Sequence, residues 1–208
     1  MGKPLPKARV DDRGTLPFAA WIQALFLALL CLGTFAGGLG GGFVEDDTPA
    51  IVQHPVVQGT ASPLDAFSLN FWGKSLHAMP PSYRPLTTLS FALDHRLFGE
   101  SALAFHLSSL LWYIGLVLVG WAFARRCMSP WAALVAMAFF VVMPVHVENV
   151  SNLVGRADTL SVLFATLALL ALSPSIVDGQ AATPRRLVLA GEPSWLPSCA
   201  RRVWPRCR

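Results

Sequence analysis

The chain has 208 residues, of which 54% are hydrophobic and 13% are charged. Soluble domains carry about 25% charged residues, so the composition excludes an ordinary soluble protein and indicates an integral membrane protein. The net charge of +4 arises after residue 173, because the ten basic and ten acidic residues before that point cancel. This distribution argues against a nucleic-acid-binding surface, and no nucleic-acid partner is expected.

The amino-terminal part of the chain predicts a cytosolic leader followed by a first membrane span. Residues 1–16 are polar and contain four basic side chains. Residues 17–36 carry no formal charge and are long enough to cross about 30 Å of hydrocarbon. We favour a signal anchor over the alternative of a cleaved signal peptide, whose apolar region is shorter, at about 7–15 residues.

Residues 37–101 are predicted to form a long loop on the far side of the membrane, with two short helices in the membrane interface. The first helix is expected to begin at Ser62, which precedes a proline, and to place Leu64, Phe67 and Phe71 on one face. The second is expected to run from Pro85 to a stop at Gly99. Its apolar face would carry Leu86, Leu89, Leu93 and Leu97, and its polar face Asp94 and Arg96.

Three further spans are predicted at residues 102–124, 130–145 and 158–173. The turn 125–129 contains Arg125 and Arg126, so by the positive-inside rule it lies in the cytosol with the leader. Residues 146–157 then form a second loop on the luminal side. The predicted fold class is an all-α polytopic membrane protein with about four transmembrane helices.

Residues 174–208 differ in kind from the rest of the chain, because apolar periodicity stops and Pro, Arg, Trp and Cys become frequent. This tail is interpreted either as a disordered cytosolic appendage or as sequence from a misassigned exon or shifted frame, and we favour the second. The four cysteines offer no pairing typical of a disulfide framework, and those in the tail lack the spacing of a zinc site.

The residues that can carry chemistry gather at the ends of the predicted spans. Three carboxylates, Glu45, Asp46 and Asp47, directly follow a glycine-rich exit from the first span. Clustered carboxylates serve as a general base or bind a divalent cation, and arginines suit phosphate oxygens. Such a set at a lipid surface favours transfer from a lipid-phosphate donor, with a merely solvated loop as the alternative. His106, alone in an apolar span, is interpreted as a packing residue.

Several sequence blocks, in this order, resemble the amino-terminal region of the transmembrane and tetratricopeptide-repeat (TMTC-type) protein family. The blocks are FVEDDTPAIVQHP (43–55), NFWG (70–73), SYRPLTTLSFALDHRLFG (82–99), FHLSSLLWY (105–113) and MPVHVENVSNLVGRADTLS (143–161). Members of that family are polytopic O-mannosyltransferases of the GT-C class in the endoplasmic reticulum membrane. The resemblance covers roughly residues 43–172.

The resemblance implies a site and its substrates. Asp46 and Asp47 match the paired catalytic aspartates, and either could be the base. Arg84 matches a family block and is the candidate for the donor phosphate. The residues expected to line the site are Glu45, His146, Glu148, Arg156 and Asp158. The implied donor is dolichyl-phosphate mannose and the implied acceptors are Ser or Thr hydroxyls of secretory proteins, including cadherin-like domains; no cofactor or metal is expected, although a divalent cation stays open.

Three functions remain open at this stage. The chain is expected to be an O-mannosyltransferase or a truncated fragment of one, since family members continue through more spans and a repeat array. A non-catalytic membrane subunit or a piece of a transporter is the alternative from another class. A transporter is expected to carry ionisable residues inside its spans, whereas the predicted spans contain essentially only His106. A transferase that uses a different lipid-linked sugar is the third.

Overall fold

A computed structural model describes residues 17–79 and 82–177, so the predicted leader and most of the predicted tail lie outside the described residues. The described part is helical, and its only β-pairing is an isolated bridge between Leu69 and Ser75. This confirms the all-α class. The α-helices are α1 (Pro17–Phe35), α2 (Pro85–Phe98), α3 (Ala102–Cys127), α4 (Pro130–Val142), α5 (His146–Ser151) and α6 (Arg156–Val177).

Three segments of the described residues are long and apolar enough to cross a membrane: Ala20–Gly38, Ala102–Cys127 and Leu153–Ser173. The remaining predicted span coincides with α4, an apolar helix of 13 residues. A helix of that length rises only about 20 Å, so a full crossing by α4 stays a prediction. α6 continues to Val177, beyond residue 173 where the sequence predicted the last span to end.

The apolar helices α1, α3, α4 and α6 form one bundle, in which α3 contacts the other three. The core contains Leu27 and Cys31 of α1 with Tyr113 and Val117 of α3, all buried. The rings of Phe35 and Tyr113 meet edge to face with their centroids 5.2 Å apart. This edge-to-face arrangement is one that aromatic rings favour.

The two polar loops meet at one end of this bundle. α1 and α4 end there, whereas α3 and α6 begin there, because successive long helices along the chain run in opposite directions. The approach is close: a Cβ added to Gly38, after α1, would lie 2.5 Å from Oγ of Ser151, at the end of α5. Only glycine therefore fits at position 38 without a shift of its neighbour.

The first of the two predicted interfacial helices is a single 3₁₀ turn, Pro63–Phe67. Its start is as predicted, since the Ser62 hydroxyl accepts a hydrogen bond from the Leu64 N–H, and the Asp65 carboxylate accepts one from the Ser62 N–H. The expected common apolar face is wrong. Leu64 is 75% exposed, whereas Phe71 lies beyond the turn in a buried cluster with Phe91 and Phe105.

Helix α2 has the predicted bounds, and its leucine face is exposed, but one residue of its predicted polar face is buried. It ends at Gly99, which has a φ of +63° that favours glycine. Leu86, Leu93 and Leu97 are exposed, and the buried face consists of Thr87, Thr88, Phe91 and Asp94. Placing Asp94 on an exposed polar face was therefore wrong, because an ion pair from another helix holds this carboxylate inside the protein.

Candidate active site

The three consecutive carboxylates lie in a tight turn between α1 and the loop core. The Asp47 N–H donates to the Val44 carbonyl over 2.7 Å, and the Val44 N–H donates to Oδ2 of Asp47 over 3.0 Å. Glu45, inside this turn, has a φ of +30°, which non-glycine residues adopt rarely and with strain. The side chains of Glu45 and Asp46 are exposed as a result.

Asp47 is buried, with 1% of its surface exposed, and its Oδ1 has no hydrogen-bond partner among the described residues. Burial raises the pKa of this carboxyl above its ordinary value, and the charge of Asp46 raises it further. The backbone N–H groups of Val44 and Val154 and the ring of His106 oppose that rise. Asp47 therefore takes up a proton at higher pH than an ordinary aspartate.

Both loops contribute to an open pocket of about 410 Å³, which we call the carboxylate pocket. Val44, Glu45 and Asp46 come from the first loop, and Asn152 comes from the second, directly after α5. The pocket thus presents two carboxylates and one amide. The sequence analysis missed Asn152, although it belongs to the family-like block at 143–161.

His106 lies close to the same turn. Its ring is 3% exposed, and a Cβ added to Gly41 would lie 3.2 Å from its Nε2. Neither ring nitrogen has a hydrogen-bond partner among the described residues. The interpretation of His106 as a packing residue is therefore incomplete, because its ring interacts electrostatically with Asp47. The signal available in the sequence was a lone histidine near the start of an apolar helix.

Arg84 lies in a second pocket, of about 330 Å³, which we call the arginine pocket. It is exposed at the residue before α2, and its guanidinium lies over the Phe71 ring at 5.1 Å from the centroid. The other wall is formed by α6. The pocket is therefore polar at Arg84 and apolar along Leu160 and Phe164. The lining residues are Tyr83, Arg84, Pro85, Leu86, Thr87, Ala157, Leu160, Ser161 and Phe164.

No residue lines both pockets, so the structure does not bring Arg84 into one cavity with Asp46. The two pockets nevertheless occupy the same end of the bundle. Arg84 starts the helix that packs on the loop core, and Asp46 lies in the turn before that core.

Arg156 is completely buried and forms an ion pair with Asp94. Its Nε donates to Oγ of Ser109 over 3.0 Å, and its Nη2 donates to the Phe105 carbonyl over 2.8 Å. The guanidinium also lies over the Phe91 ring, 4.4 Å from the centroid. Arg156 lines neither pocket, and its described contacts are all within the protein.

The other residues expected to line the site are separate from the carboxylate pocket. His146 packs against Phe140 and Tyr113, with ring centroids 4.1 Å and 5.5 Å away, and burial lowers its pKa. Glu148 and Asp158 are exposed. Their roles stay predictions. Within residues 17–79 and 82–177, no group of three or more His, Cys, Asp or Glu side chains is arranged to hold a metal ion.

A family profile described as dolichyl-phosphate-mannose-protein mannosyltransferase matches residues 80–191. The chain belongs to this family. The matched region contains Arg84, the Asp94–Arg156 pair and Asn152, whereas the aspartates of the turn precede it. Membership in this mannosyltransferase family supports the expected GT-C-like class of helical membrane enzymes.

Individual relatives agree with the family match. The chain is 35% identical over 171 residues to protein O-mannosyl-transferase TMTC4 of Homo sapiens, and 36% identical over 171 residues to TMTC1 of Mus musculus. It is 35% identical over 152 residues to protein O-mannosyl-transferase F38B6.6 of Caenorhabditis elegans. The expected resemblance to TMTC-type proteins is confirmed.

These alignments cover 74%, 80% and 70% of this chain, but only 23%, 18% and 22% of the respective relatives. The chain thus spans about a fifth of the length of the curated relatives it matches. No solved structure matches the chain.

Proposed function

We propose that this chain carries the donor and base elements of a protein O-mannosyltransferase. It would transfer mannose from dolichyl-phosphate mannose to Ser or Thr hydroxyls of secretory-pathway proteins, with cadherin-like domains among the acceptors. The enzyme would lie in the endoplasmic reticulum membrane, with its amino terminus in the cytosol. The observation that carries the proposal is the placement of an acidic pocket and an arginine pocket at one end of an apolar helix bundle.

The arginine pocket suits a lipid phosphate. Arg84 supplies hydrogen-bond donors at one end, and Leu160 and Phe164 continue along a helix that is apolar enough to cross the membrane. A guanidinium fork matches phosphate oxygens. The phosphate of the donor would bind at Arg84 while its polyprenyl chain follows α6 into the bilayer.

We assign the general base to Asp46 and a positioning role to Asp47. A general base must come within hydrogen-bond reach of the proton it takes, so geometry is decided before pKa. Asp46 is exposed and lines the carboxylate pocket, whereas Asp47 is buried and lines no described pocket. The Asp47 carboxylate instead accepts the Val44 N–H and so holds the turn that presents Asp46.

The transfer needs one displacement. Asp46 takes the proton of the acceptor hydroxyl as its oxygen attacks the anomeric carbon, and the bond from that carbon to the phosphate oxygen breaks. Dolichyl phosphate leaves with the bonding electrons, and Arg84 stabilises the charge on its oxygens. Because no carboxylate forms a glycosyl intermediate, we expect inversion at the anomeric carbon.

A fragment of a transporter fits the described residues less well. An ion path needs ionisable groups that are accessible within the spans. Within the candidate spans, Arg156 is buried and neutralised by Asp94, and His106 is buried. The other charged groups of these spans lie in the first or last turn of their helices, at Asp158, Arg125 and Arg126. A transferase for a different lipid-linked sugar would use the same two pockets and is separated only by the choice of donor.

The proposal is tested by reconstituting the full chain in proteoliposomes with dolichyl-phosphate mannose and a Ser/Thr acceptor peptide. Removal of a general base lowers rates by about 10²–10⁴-fold, so we expect that loss for Asp46→Asn. Glu45→Gln removes the other carboxylate of the same pocket. It should keep most of the activity, and a loss as large as that of Asp46→Asn would assign the base to Glu45 instead. Asp47→Asn should lose less than Asp46→Asn, since an amide oxygen can still accept the Val44 N–H.

A second measurement separates binding from catalysis, because the chain covers only part of its relatives. A diazirine-tagged polyprenyl phosphate in the same liposomes should label peptides of α2 and α6, and Arg84→Gln should reduce that labelling. Transfer of glucose but not mannose would favour the alternative sugar. The absence of both transfer and labelling in the parent chain would contradict the proposed function.

A further inference from the structure

Helix α2 bears the residue proposed to bind the donor phosphate, yet its exposed surface offers little to hold it on the protein. Its leucines at 86, 93 and 97 are each more than half exposed. In a membrane interface, such a face gains as much from lipid as from protein, since lipid tails are as apolar as leucine. The buried face of α2 must therefore fix where it lies. Phe91 packs there with Phe71 and Phe105, and a polar interaction adds to this apolar contact.

The polar network of Arg156 supplies that interaction. Arg156, on the first turn of α6, donates from Nη1 to the Asp94 carboxylate and, over 3.4 Å, to Oγ of Ser90. Both acceptors belong to α2. Asp94 in turn accepts a hydrogen bond of 2.9 Å from the Ser108 hydroxyl of α3. The network thus joins α2 to both long helices behind it.

The side of Arg156 that faces α3 completes the arrangement. Its Nε and Nη2 donate to Ser109 and to the Phe105 carbonyl, and Phe91 of α2 lies against the guanidinium. The ion pair is enclosed, with side-chain exposures of 0% for Arg156 and 7% for Asp94. Breaking a buried pair by removing one partner is strongly destabilising, because it leaves an uncompensated charge.

The ion pair is adjacent to the arginine pocket. Ala157, the next residue after Arg156, lines that pocket, as does Thr87 of α2. Arg84 is the residue immediately before α2. A change in the rotation or height of α2 would therefore move Arg84 relative to the α6 wall of its pocket.

We propose that the Asp94–Arg156 pair is a positioning element that docks α2 on α3 and α6 and thereby places Arg84 for the donor phosphate. This rests on the proposed function only for the identity of the ligand. Neither Asp94 nor Arg156 touches the substrate in this assignment. The pair acts only as an internal ion pair that joins α2, the predicted interfacial helix, to the candidate span that contains α6.

The experiment compares Asp94→Asn, Arg156→Gln and the double variant in the full chain, in liposomes. The matched control is Glu100→Gln with Arg96→Gln, which removes one acidic and one basic charge at exposed positions at and just after the end of α2. Docking is measured by the rate at which a short bismaleimide joins cysteines placed at Leu86 and Ser161, opposite walls of the arginine pocket, after the four native cysteines are replaced. Donor binding is measured by labelling with the diazirine-tagged polyprenyl phosphate.

Each single variant should lower both the cross-linking rate and the labelling by at least about tenfold, since each leaves a buried charge unpaired. The double variant should recover part of both, because it removes both charges together, and the control should resemble the parent. Recovery in the double variant assigns the losses in the single variants to the unpaired buried charge.

Two results would overturn the positioning role. One is a parent-like cross-linking rate in Asp94→Asn. The other is loss of labelling in Arg156→Gln with unchanged cross-linking, while Asp94→Asn still labels, which would make Arg156 a direct phosphate ligand. If the parent itself is not labelled, the proposed donor is wrong, and the cross-linking rates still decide whether the pair docks α2.

Discussion

Two buried aspartates at the same end of the molecule have opposite surroundings. Asp94 is 5% exposed, and its two oxygens are bonded to Arg156 and Ser108. Asp47 is 1% exposed, but its Oδ2 accepts the Val44 N–H, and no cation is bonded to either oxygen among the described residues. Burial by itself therefore does not indicate the role of an acid in this chain.

The two aspartates differ in whether a cation is bonded to the carboxylate. A buried carboxylate with a cation and a hydroxyl is compensated, and it ties elements of structure together. A buried carboxylate without a cation bonded to it retains a desolvation penalty and a raised pKa, which is typical of functional sites. Asp94 thus fits the docking role proposed above, whereas Asp47 fits a place in the proposed active site, where its carboxylate supports the acidic turn.

The largest effect that this comparison predicts is on the stability of Asp94→Asn. Loss of the carboxylate leaves Arg156 charged and buried, which should lower the free energy of unfolding by about 3–5 kcal/mol. SDS titration of the chain in mixed micelles measures it. Asp158→Asn, at an exposed position of α6, should change the same quantity little. Equal effects of the two variants would show that the Asp94 pair is not a stabilising contact.

A smaller effect is expected at Gly155. It lies between Val154, whose backbone N–H lowers the pKa of Asp47, and Arg156, the partner of Asp94. A Cβ at Gly155 would meet the Glu148 carbonyl oxygen at 2.6 Å and Cα of Asn149 at 2.8 Å, and both are backbone atoms that move little. Gly155→Ala should therefore separate α5 from α6 and lower the free energy of unfolding by about 1–3 kcal/mol.

Gly115→Ala is the matched control for that measurement, since no atom lies within 4 Å of a Cβ at Gly115. Because alanine favours helix, this variant of α3 should be as stable as the parent or slightly more stable. A Gly155→Ala chain with parent stability would show that the contact between α5 and α6 is looser than the structure indicates.

The smallest effect concerns the pH dependence of stability at Asp47. Its pKa is raised in the folded chain, so between the unfolded and folded pKa values the folded state binds more protons. Stability from this group is present below the unfolded pKa and is lost as pH rises through the folded pKa. Asp47→Asn should remove that loss, so that its stability relative to the parent increases with pH across this window.

His106→Gln sharpens the same measurement. The His106 ring lowers the pKa of Asp47, so its removal should move the window in which stability is lost to higher pH. The comparison is made by SDS titration at a series of pH values for the parent and both variants. An unchanged window in His106→Gln would show that the ring and the carboxylate are not coupled.

Much of the local structure could be read from the sequence. The start of the 3₁₀ turn at Ser62 and both ends of α2 follow from Ser-Pro, from the proline at the first helical position and from Gly99. These signals act over a few residues, so no tertiary information was needed. The blocks around residues 43–55, 82–99 and 143–161 likewise indicated the family that the profile match then showed.

The assignment of residues to sites was less predictable, because it depends on contacts between distant segments. Arg156 was expected to line the site, but in the structure it is buried and paired with Asp94. Asn152 enters the carboxylate pocket only because α5 ends beside the turn that follows α1. Hydropathy and charge spacing contain no information on either pairing.

The sequence by itself determined that this is a helical membrane protein of the mannosyltransferase family, because long apolar runs and ordered motif blocks are properties of the chain. Tertiary structure alone decided which polar groups face inward. In water, the leucines of α2 would be expected to pack inward and Asp94 outward. We predict that α2 lies in a membrane interface, where lipid would accept the leucines, and Arg156 makes the interior the better place for Asp94.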